Sequence, residues 1–335
     1  MAMQLEAKQP FDFDKTLTEA DIAMLLDTLL DTTVDIAYRT LLLEAFSKRD
    51  MQPMELTHFV RQMIQTTYAE QPYMKEAMCV CGTGGDRSGS FNISTTVSFI
   101  VASAGVPVIK HGNKSITSKS GSVDVLKVIG IEKLNMANVD QGVSTYNLAF
   151  LSATETYPIM RHIQPLRKAI TMPTIFNIIG PLIHPYMLDY QVMGVYKPDD
   201  MKHIASTLRD LGRKRAIVLH GANGMDEATL SGDNVIYEIN GNAPIKPYTL
   251  RAEDVGLTPA DNATLKGGKP EENAETMMKI LAGHICDSRR DVVVLNAGIA
   301  LYVAQRVKTI EAGVRYAEQL IDSGMANHTF NEMRG

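Results

Sequence analysis

Met78-Cys-Val-Cys-Gly-Thr-Gly-Gly-Asp86 begins the stretch that decides the fold of this 335-residue chain. Its apolar start predicts one buried strand, and the glycines after it predict a tight turn. From Val97 to Ala104 the apolar residues recur at helical spacing, and Gly105 is a natural end for that helix. A strand, a glycine-rich turn and a helix in this order are typical of a parallel α/β fold.

A second unit of the same kind follows directly. We expect a strand over 106–110, a polar loop over 111–122 and a short helix over 123–129. Glycines let the backbone approach an anion closely, and the N–H groups at the start of a helix point at it. Hydroxyl groups in both turns add donors, and Lys110, Lys114 and Lys119 of the second unit add positive charge. Two consecutive loops of this composition favour a phosphate site over turns that are merely tight.

Asp86 stands apart from these donors, because a carboxylate repels phosphate unless a cation lies between them. Mg²⁺ typically takes one or two carboxylates and completes its shell with phosphate oxygens and water, so Asp86 suggests a magnesium–phosphate ligand. Two familiar motifs are excluded. A dinucleotide fingerprint needs glycine where Arg87 lies, and Ser90-Phe91 replaces the Lys-Ser/Thr pair of a P-loop.

The composition is that of an ordinary globular protein, with 45% apolar and 21% charged residues. This length favours two domains over one. The net charge of −5 argues against a nucleic-acid partner held by bulk electrostatics. With neither a signal-peptide pattern nor a membrane-spanning stretch in view, we expect a cytosolic protein. Cys79 and Cys81 should share one strand face as packing residues, since a metal site would need more ligands.

The first 70 residues predict three amphipathic helices, with a capping box at Thr18-x-x-Asp21 and a helix start at Pro53. We expect a small helical bundle whose outer stripes are candidates for a dimer interface. No catalytic residue is apparent in this part of the chain.

The middle of the chain predicts a strand over 148–151 and a helix over 165–170, which Arg167 opens. A cation is unfavourable at the start of a helix unless an anion offsets it. Arg167 is therefore a candidate clamp for a carboxylate. An apolar helix is expected over 173–182, broken at Gly180-Pro181.

The second half repeats the α/β pattern, with strands over 191–195 and 215–220 and a helix over 201–211. Asp226 and Glu227 follow on a glycine-rich turn, at the end of the strands where α/β sheets bind ligands. Adjacent acids there suit a metal site, although such pairs are often plain surface charge. The last elements expected are a helix that begins near Pro270, a buried strand over 289–296 and a core helix over 297–307.

An ordered set of seven motifs closely resembles the anthranilate phosphoribosyltransferases of tryptophan biosynthesis, above all their staphylococcal members. The motifs are Gly82-Thr-Gly-Gly-Asp86, Phe91-Asn-Ile-Ser-Thr95, Lys110-His-Gly-Asn113, Ser120-Gly-Ser122, Arg161-His-x-x-Pro-x-Arg167, Phe176-Asn-x-x-Gly-Pro-Leu182 and Gly224-Met-Asp-Glu227. Each motif is modest alone, whereas the ordered set is specific and runs from Thr18 to the last helix. The chain departs from the usual pattern at Arg87, Lys114 and Tyr157, where Gly, Arg and His are common.

The resemblance implies an α/β protein with a small α-helical N-terminal domain and a large α/β domain that has a mostly parallel central sheet. The helical domain would comprise 1–74 and 156–187 and form a homodimer, and the α/β domain would comprise 75–155 and 188–335. The implied reaction moves the 5-phosphoribosyl group of 5-phosphoribosyl 1-diphosphate to the amine of anthranilate, giving N-(5-phosphoribosyl)anthranilate and diphosphate. It would use two Mg²⁺ per monomer.

The resemblance also implies a set of site residues. The phosphoribosyl donor would be held by Gly82, Gly85, Asp86, Ser90, Asn92, Ile93, Ser94, Thr95, Lys110, His111, Gly112, Asn113, Lys114, Ser115, Ile116, Thr117, Ser118 and Ser122. Anthranilate would contact Gly82, Asn113 and Arg167, and the metal ligands would be Ser94, Asp226 and Glu227. We expect no acid or base catalyst, because diphosphate leaves readily once its charge is neutralised and the aniline needs placement more than activation.

Two other classes of protein remain open. A pyrimidine nucleoside phosphorylase would share the fold and the glycine-rich turns, but it binds free phosphate and does not need a metal pair at Asp226 and Glu227. A non-catalytic relative of the same fold would dispense with both acids and, if it bound nucleic acid, would show a basic surface.

Overall fold

The computed structural model describes residues 11–112 and 120–334. The helices are α1 (Glu19–Leu30), α2 (Ile36–Lys48), α3 (Pro53–Thr67), α4 (Ile93–Ser103), α5 (Ser122–Val128), α6 (Val139–Tyr146), α7 (Ala153–Thr156), α8 (Met160–Ala169), α9 (Met201–Asp210), α10 (Pro270–Leu281), α11 (Ser288–Val303), α12 (Ile310–Asp322) and α13 (Met325–Arg334). The strands are β1 (Tyr73–Gly82), β2 (Val108–Gly112), β3 (Leu148–Ser152), β4 (Met187–Gly194), β5 (Arg215–His220), β6 (Asn234–Asn240) and β7 (Lys246–Leu250). None of the helices in these two ranges has the length and apolar character needed to cross a bilayer.

One seven-stranded sheet forms the centre of the molecule, in the order β3-β2-β1-β4-β5-β6-β7. The first five strands of that order are parallel, while β6 and β7 add an antiparallel hairpin at one edge. The expected α/β fold with a mostly parallel sheet is therefore confirmed. The two predicted units that begin at Met78 are also confirmed, since β1, α4, β2 and α5 follow one another around the loops.

Side chains alternate along each strand, so every strand contributes to both faces of the sheet. A hydrophobic core covers each face. On β1, Met78 and Val80 face a core shared with α4, α5 and the C-terminal helices. Cys79 and Cys81 face the opposite core, which contains the side chains of α1, α2, α3, α8 and α9. The prediction that the two cysteines share a buried face is confirmed, and both thiols are free.

The N-terminal helices begin where the sequence predicted. Thr18 and Asp21 form the reciprocal capping box of α1, and Pro53 is the first residue of α3. The fully buried Glu55 ties this region together, because its carboxylate accepts from the backbone N–H of Leu17 at 2.6 Å and from Arg49 at 2.7 Å. Both partners satisfy the buried charge, so Glu55 is a structural residue.

The predicted strand over 289–296 was wrong, whereas the core helix expected over 297–307 is confirmed as far as Val303, as part of a longer helix. Residues 288–303 form the single helix α11, whose N-cap Asp287 accepts from the N–H of Arg289, and α12 and α13 follow it. The run from Val292 to Leu295 is fully buried, since neighbouring helices enclose it. An apolar run without a polar face has neither helical nor strand periodicity, so the pattern could not separate the two structures.

The predicted helix over 173–182 was also wrong. Only one 3₁₀ turn, Ile175–Asn177, forms there, capped by Thr174. Gly180-Pro181 follows this turn, and there the glycine is a poor helix former and the proline stops a helix from continuing. The predicted start of the preceding helix was wrong as well, because α8 runs from Met160 to Ala169 with Pro165 inside it.

Candidate functional site

The candidate site lies where the parallel strands end. From β1 the sheet continues to β2 and β3 on one side and to β4 and β5 on the other, so the connections diverge at the β1–β4 pair. In open α/β sheets ligands bind at such a point, outside the carboxyl ends of the strands. A cavity of about 690 Å³ opens there. Gly82 lines it and pairs with Gly194, each as the last residue of its strand.

Most of the predicted site residues come together around this cavity. Its lining includes Gly82, Gly85, Asp86, Ser90, Asn92, Ser94, Thr95, Lys110, His111, Gly112, Ser122, Asp226 and Glu227. Ile93 does not line it, because its side chain is fully buried in the core beneath α4. Asn113, Lys114, Ser115, Ile116, Thr117 and Ser118 lie outside the described residues.

Glycine is required at both strand ends because Asp226 passes directly over them. A Cβ atom on Gly194 would meet the backbone oxygen of Asp226 at 1.5 Å, and one on Gly82 would meet its Oδ2 atom at 2.2 Å. The N–H of Gly84 donates to that same Oδ2 atom at 2.6 Å. The two glycines thus let the acidic turn after β5 reach the glycine-rich turn after β1.

Three carboxylates meet at this contact: Asp86, Asp226 and Glu227. Burial, followed by the negative charge of Asp86, raises the pKa of Asp226 to about 7. Burial, followed by the charges of Asp226 and Asp86, raises the pKa of Glu227 well above its ordinary value. Asp226 and Glu227 therefore ionise with difficulty beside one another, and a nearby cation would relieve both.

The donors around the carboxylates fit a magnesium site. The Oδ2 atom of Asp86 is buried without a hydrogen-bond partner among the described residues. Ser90 Oγ donates weakly to Glu227 Oε2 at 3.4 Å, so that carboxylate also retains acceptor capacity. Hard oxygen ligands with unused lone pairs, held close together, are the donor set that Mg²⁺ prefers.

Lys110 on β2 and the N-terminus of α4 present positive charge to the same cavity. Lys110 is buried, and its ammonium donates to the carbonyl of Val80 at 2.7 Å and to Ser94 Oγ at 3.1 Å. Ser94 belongs to the first turn of α4, where free N–H groups point away from the helix. A phosphate at this point would meet a lysine, hydroxyl groups and a helix N-terminus together.

His111 is held at the end of β2 by contacts on both ring nitrogens. Its Nε2 atom lies 3.0 Å from the carbonyl of Gly180, and its Nδ1 atom lies 3.7 Å from the Sγ atom of Cys79. A carbonyl only accepts, so Nε2 carries the proton and Nδ1 accepts from the thiol. With both nitrogens engaged, His111 is held in position in the wall of the cavity.

Cys79, His111 and His184 have ligand atoms within 4.8 Å of one another, a grouping that the sequence did not reveal. His184 is fully buried, and its ring nitrogens lie 3.1 Å from the carbonyl of Ile109 and 3.0 Å from the N–H of Tyr186. Every ring nitrogen of the group thus has a protein partner. We interpret the group as a hydrogen-bonded support beneath the cavity.

Arg167 does not line this cavity, and the argument that it opens a helix fails, since it lies in the last turn of α8. The half-buried guanidinium has no carboxylate partner among the described residues. Burial lowers the pKa of Arg167 from its ordinary value. Such a cation stays available for an anion, although the helix dipole no longer supports that role.

Sequence reasoning missed Lys266, Gly267, Gly268 and Asn273, which line the opposite wall of the cavity. It also missed Asn296 of α11, which accepts from the N–H of Ala228 at 3.0 Å and donates to its carbonyl at 2.8 Å. Asn296 thereby fixes the backbone directly after Glu227. The only available signal was a polar residue inside an apolar run, which the strand prediction did not explain.

The known proteins that this chain resembles identify its class. A family model described as "Glycosyl transferase family, a/b domain" matches residues 74–327. The chain is 55% identical to the anthranilate phosphoribosyltransferase of Staphylococcus carnosus (strain TM300), over 98% of this chain and 97% of that one. It is 54% identical to the enzyme of Staphylococcus aureus (strain Newman), over 95% and 96%. The chain belongs to the anthranilate phosphoribosyltransferase family, which confirms the resemblance seen in the motifs.

Solved structures agree with this assignment. The anthranilate phosphoribosyltransferase of Thermus thermophilus is 32% identical and superposes with a TM-score of 0.88, over 96% of this chain and 95% of that one. The Saccharomyces cerevisiae enzyme in complex with PRPP and Mg is 23% identical with a TM-score of 0.82, over 94% and 91%. At 23% identity, the likeness to the yeast enzyme shows the fold alone.

Proposed function

We propose that this chain transfers the phosphoribosyl group of 5-phosphoribosyl 1-diphosphate to the amine of anthranilate, which is a step in tryptophan biosynthesis. The observation that carries the proposal is the group of three carboxylates facing a lysine and a helix N-terminus across one cavity. A donor that carries both a diphosphate and a monophosphate needs cations and N–H donors side by side. Membership of the anthranilate phosphoribosyltransferase family agrees with a donor that carries these phosphate groups.

Two Mg²⁺ per monomer are part of the proposal, as the sequence predicted. Ser94 and Glu227 would hold one ion, and Asp226 and Glu227 the other, with Asp86 facing both from the glycine-rich turn. Bound Mg²⁺ would neutralise negative charge on the diphosphate and so favour its departure. The raised pKa values of Asp226 and Glu227 support this assignment, because buried carboxylates that repel one another are stabilised by a bound cation.

The protein's own residues would bind and orient the donor. Lys110 places its ammonium against Ser94, and the N-terminus of α4 would add its positive end to the binding of the phosphate. Ser90, Asn92 and Thr95 add neutral donors from the same segment. These groups are fixed before the reaction begins, so they stabilise the developing charge without reorganisation.

Anthranilate would bind on the side of α8, where the half-buried Arg167 offers a bidentate partner for its carboxylate. Gly82 and Asn113 remain predicted contacts of the acceptor. The amine of anthranilate is uncharged at neutral pH, so placing it near the reacting carbon supplies most of what it needs. Neither ring nitrogen of His111 is free to remove a proton.

We further propose the domain division expected from the sequence, with 1–74 and 156–187 as a helical domain and 75–155 and 188–335 as the α/β domain. Met24, Ile36, Leu41 and Met54 expose 43–51% of their surface on α1, α2 and α3. A second copy of the chain that covered these helices would give the predicted homodimer. A cytosolic location belongs to the same proposal.

The direct test is to follow the fluorescence of anthranilate with the donor and Mg²⁺ present, because ribosylation of the amine lowers it. We expect the fluorescence to fall in the full mixture and to stay constant without Mg²⁺. A constant signal in every mixture would overturn the proposal. Release of ribose 1-phosphate from a pyrimidine nucleoside by free phosphate would instead identify a phosphorylase.

A further inference from the structure

Residues 265–273, which we call the strap, supply one wall of the cavity and pair with the glycine-rich turn after β1. The N–H of Phe91 donates to the carbonyl of Leu265 at 3.0 Å, and the N–H of Gly267 donates to the carbonyl of Gly89 at 2.7 Å. Ser90 and Lys266 form an antiparallel bridge between these two bonds. The strap is therefore joined to the donor-binding turn as a short ladder.

The strap and the glycine-rich turn approach so closely that position 267 is restricted to glycine. A Cβ atom on Gly267 would lie 2.8 Å from the backbone N and Cα atoms of Phe91 and from Oδ1 of Asn273. Only glycine fits there without displacing the backbone of the donor-binding turn. The strap is thus held against that turn by geometry that other residues would disrupt.

The backbone N–H of Gly268 shows which end of the Asn273 side-chain amide carries the oxygen. This residue is 2% exposed and lies in the first turn of α10. The N–H of Gly268 donates to Asn273 Oδ1 at 2.8 Å, and a backbone N–H can only donate, so the atom that it meets is an oxygen. The other end of the amide is therefore the NH₂ group.

That assignment fixes Asn92 in turn. The NH₂ group of Asn273 donates to Asn92 Oδ1 at 3.0 Å. Asn92 must consequently direct its own NH₂ group elsewhere, and no other described residue accepts from that group. Asn92 lines the cavity immediately before α4, where a phosphate is expected. Two N–H donors are thus left to meet an anion.

Lys266 adds positive charge from the same strap. Its side chain lines the cavity and has no ion-pair partner in the described ranges 11–112 and 120–334. It faces the turn that contains Ser90 and Asp86. An exposed ammonium at this point attracts a multiply charged ligand over a Debye length of about 8 Å at physiological salt.

We propose that the strap is a further part of the donor-binding site, in which Asn273 is a positioning residue and Lys266 a binding residue for a phosphate group of the donor. Asn273 sets the amide of Asn92 so that its N–H donors, and not its oxygen, face the phosphate. This inference rests on the proposed function, since it takes the phosphoribosyl diphosphate as the ligand.

The test compares two substitutions of Asn273 by their effect on donor binding. Asn273→Asp keeps the size and the acceptor for Gly268, but it makes Asn92 turn its N–H donors toward the strap and its oxygen toward the phosphate. Asn273→Ala removes the constraint, so that Asn92 can still adopt the productive orientation. We expect the donor Kd to rise about 10- to 100-fold in Asn273→Asp and several-fold less in Asn273→Ala, since bonds to charged groups have that strength.

A purely structural role predicts the opposite order, because Asp is nearly isosteric with Asn whereas Ala leaves a cavity. The measurement is calorimetric titration of the whole protein with the donor and Mg²⁺, without anthranilate, together with the melting temperature of each variant. A Kd that rises more in Asn273→Ala than in Asn273→Asp would overturn the role of Asn273, as would wild-type affinity in Asn273→Asp.

Lys266→Gln, with Lys269→Gln as a matched control, tests the second residue without depending on Asn273. Lys269 is an exposed neighbour outside the cavity lining. We expect a roughly 3- to 10-fold higher donor Kd and a weaker salt dependence in Lys266→Gln only, as for a lost charge contact. Equal Kd values in the two variants would overturn the role of Lys266. Failure of the wild type to bind the donor would overturn the proposed function itself, whereas failure in the variants alone would not.

Discussion

Replacing Asp226 by Asn should stabilise the metal-free protein at neutral pH. Burial and the charge of Asp86 raise the pKa of this carboxyl from 3.8 to about 7 in the folded protein. The folded state therefore binds the proton more tightly than the unfolded state does. The contribution of Asp226 to stability is therefore most favourable below pH 3.8, falls as pH rises toward 7, and shows its full loss above that value.

The size of the effect follows from the same two values. A difference of about three pKa units corresponds to roughly 4 kcal/mol at 1.36 kcal/mol per unit, and sharing of the proton among three acids reduces it to about 2–4 kcal/mol. The amide that Asp226→Asn introduces carries no charge at any pH, so that loss disappears. For a chain of this length we expect a rise in Tm of about 3–8 °C at pH 7.5 and a rise about a quarter as large near pH 4.5.

The assay is thermal unfolding of protein treated with a chelator, between pH 4.5 and pH 8, for the wild type and Asp226→Asn. Asp199→Asn is the control, since Asp199 is an exposed acid away from the cavity. Adding Mg²⁺ should raise the wild-type Tm at pH 7.5 and leave Asp226→Asn less affected. A wild-type Tm that rises from pH 4.5 to pH 7.5 in parallel with that of Asp226→Asn would refute the reasoning.

Three further variants test separate parts of the site. Arg167→Ala should raise the KM for anthranilate about 10-fold or more and leave the donor KM nearly unchanged, because a bond to a carboxylate is lost; Lys168→Ala is the control, and an equal shift in both KM values would contradict the clamp. Arg87→Gly should raise the unfolding free energy by about 0.5–1 kcal/mol, since Arg87 has a φ of 56°, and should also weaken donor binding and flatten its salt dependence. Unchanged binding at all salt concentrations would place Arg87 outside the site. Asn296→Ala should cost about 2–3 kcal/mol by freeing the backbone of Ala228, and a denaturant midpoint equal to that of the wild type would rule this out.

The features that could be predicted from the sequence are those that residues close together in the chain determine. The capping box at Thr18, the proline at the start of α3 and the glycine-rich turn after β1 each depend on neighbouring residues. Ligands bind at the carboxyl ends of parallel strands, so Asp226 and Glu227 could be assigned to that edge of the sheet from the sequence.

The remaining features depend on contacts between distant residues. The strap pairs Ser90 with Lys266, and no local pattern indicates that partnership. The fully apolar run in α11 satisfies a strand and a buried helix equally well. Arg167 was misplaced because Pro165 lies inside α8, where the sequence pattern suggested a helix start.

Formation of N-(5-phosphoribosyl)anthranilate by the wild type and by Glu227→Gln, measured across a Mg²⁺ titration, tests the central claim most directly. Glu227 is the residue assigned to both ions, so its neutralisation should lower kcat as well as the apparent affinity for Mg²⁺. We expect wild-type turnover that depends on Mg²⁺, and a large loss in Glu227→Gln that excess Mg²⁺ does not fully restore. Equal turnover and the same Mg²⁺ midpoint in both proteins would contradict the account.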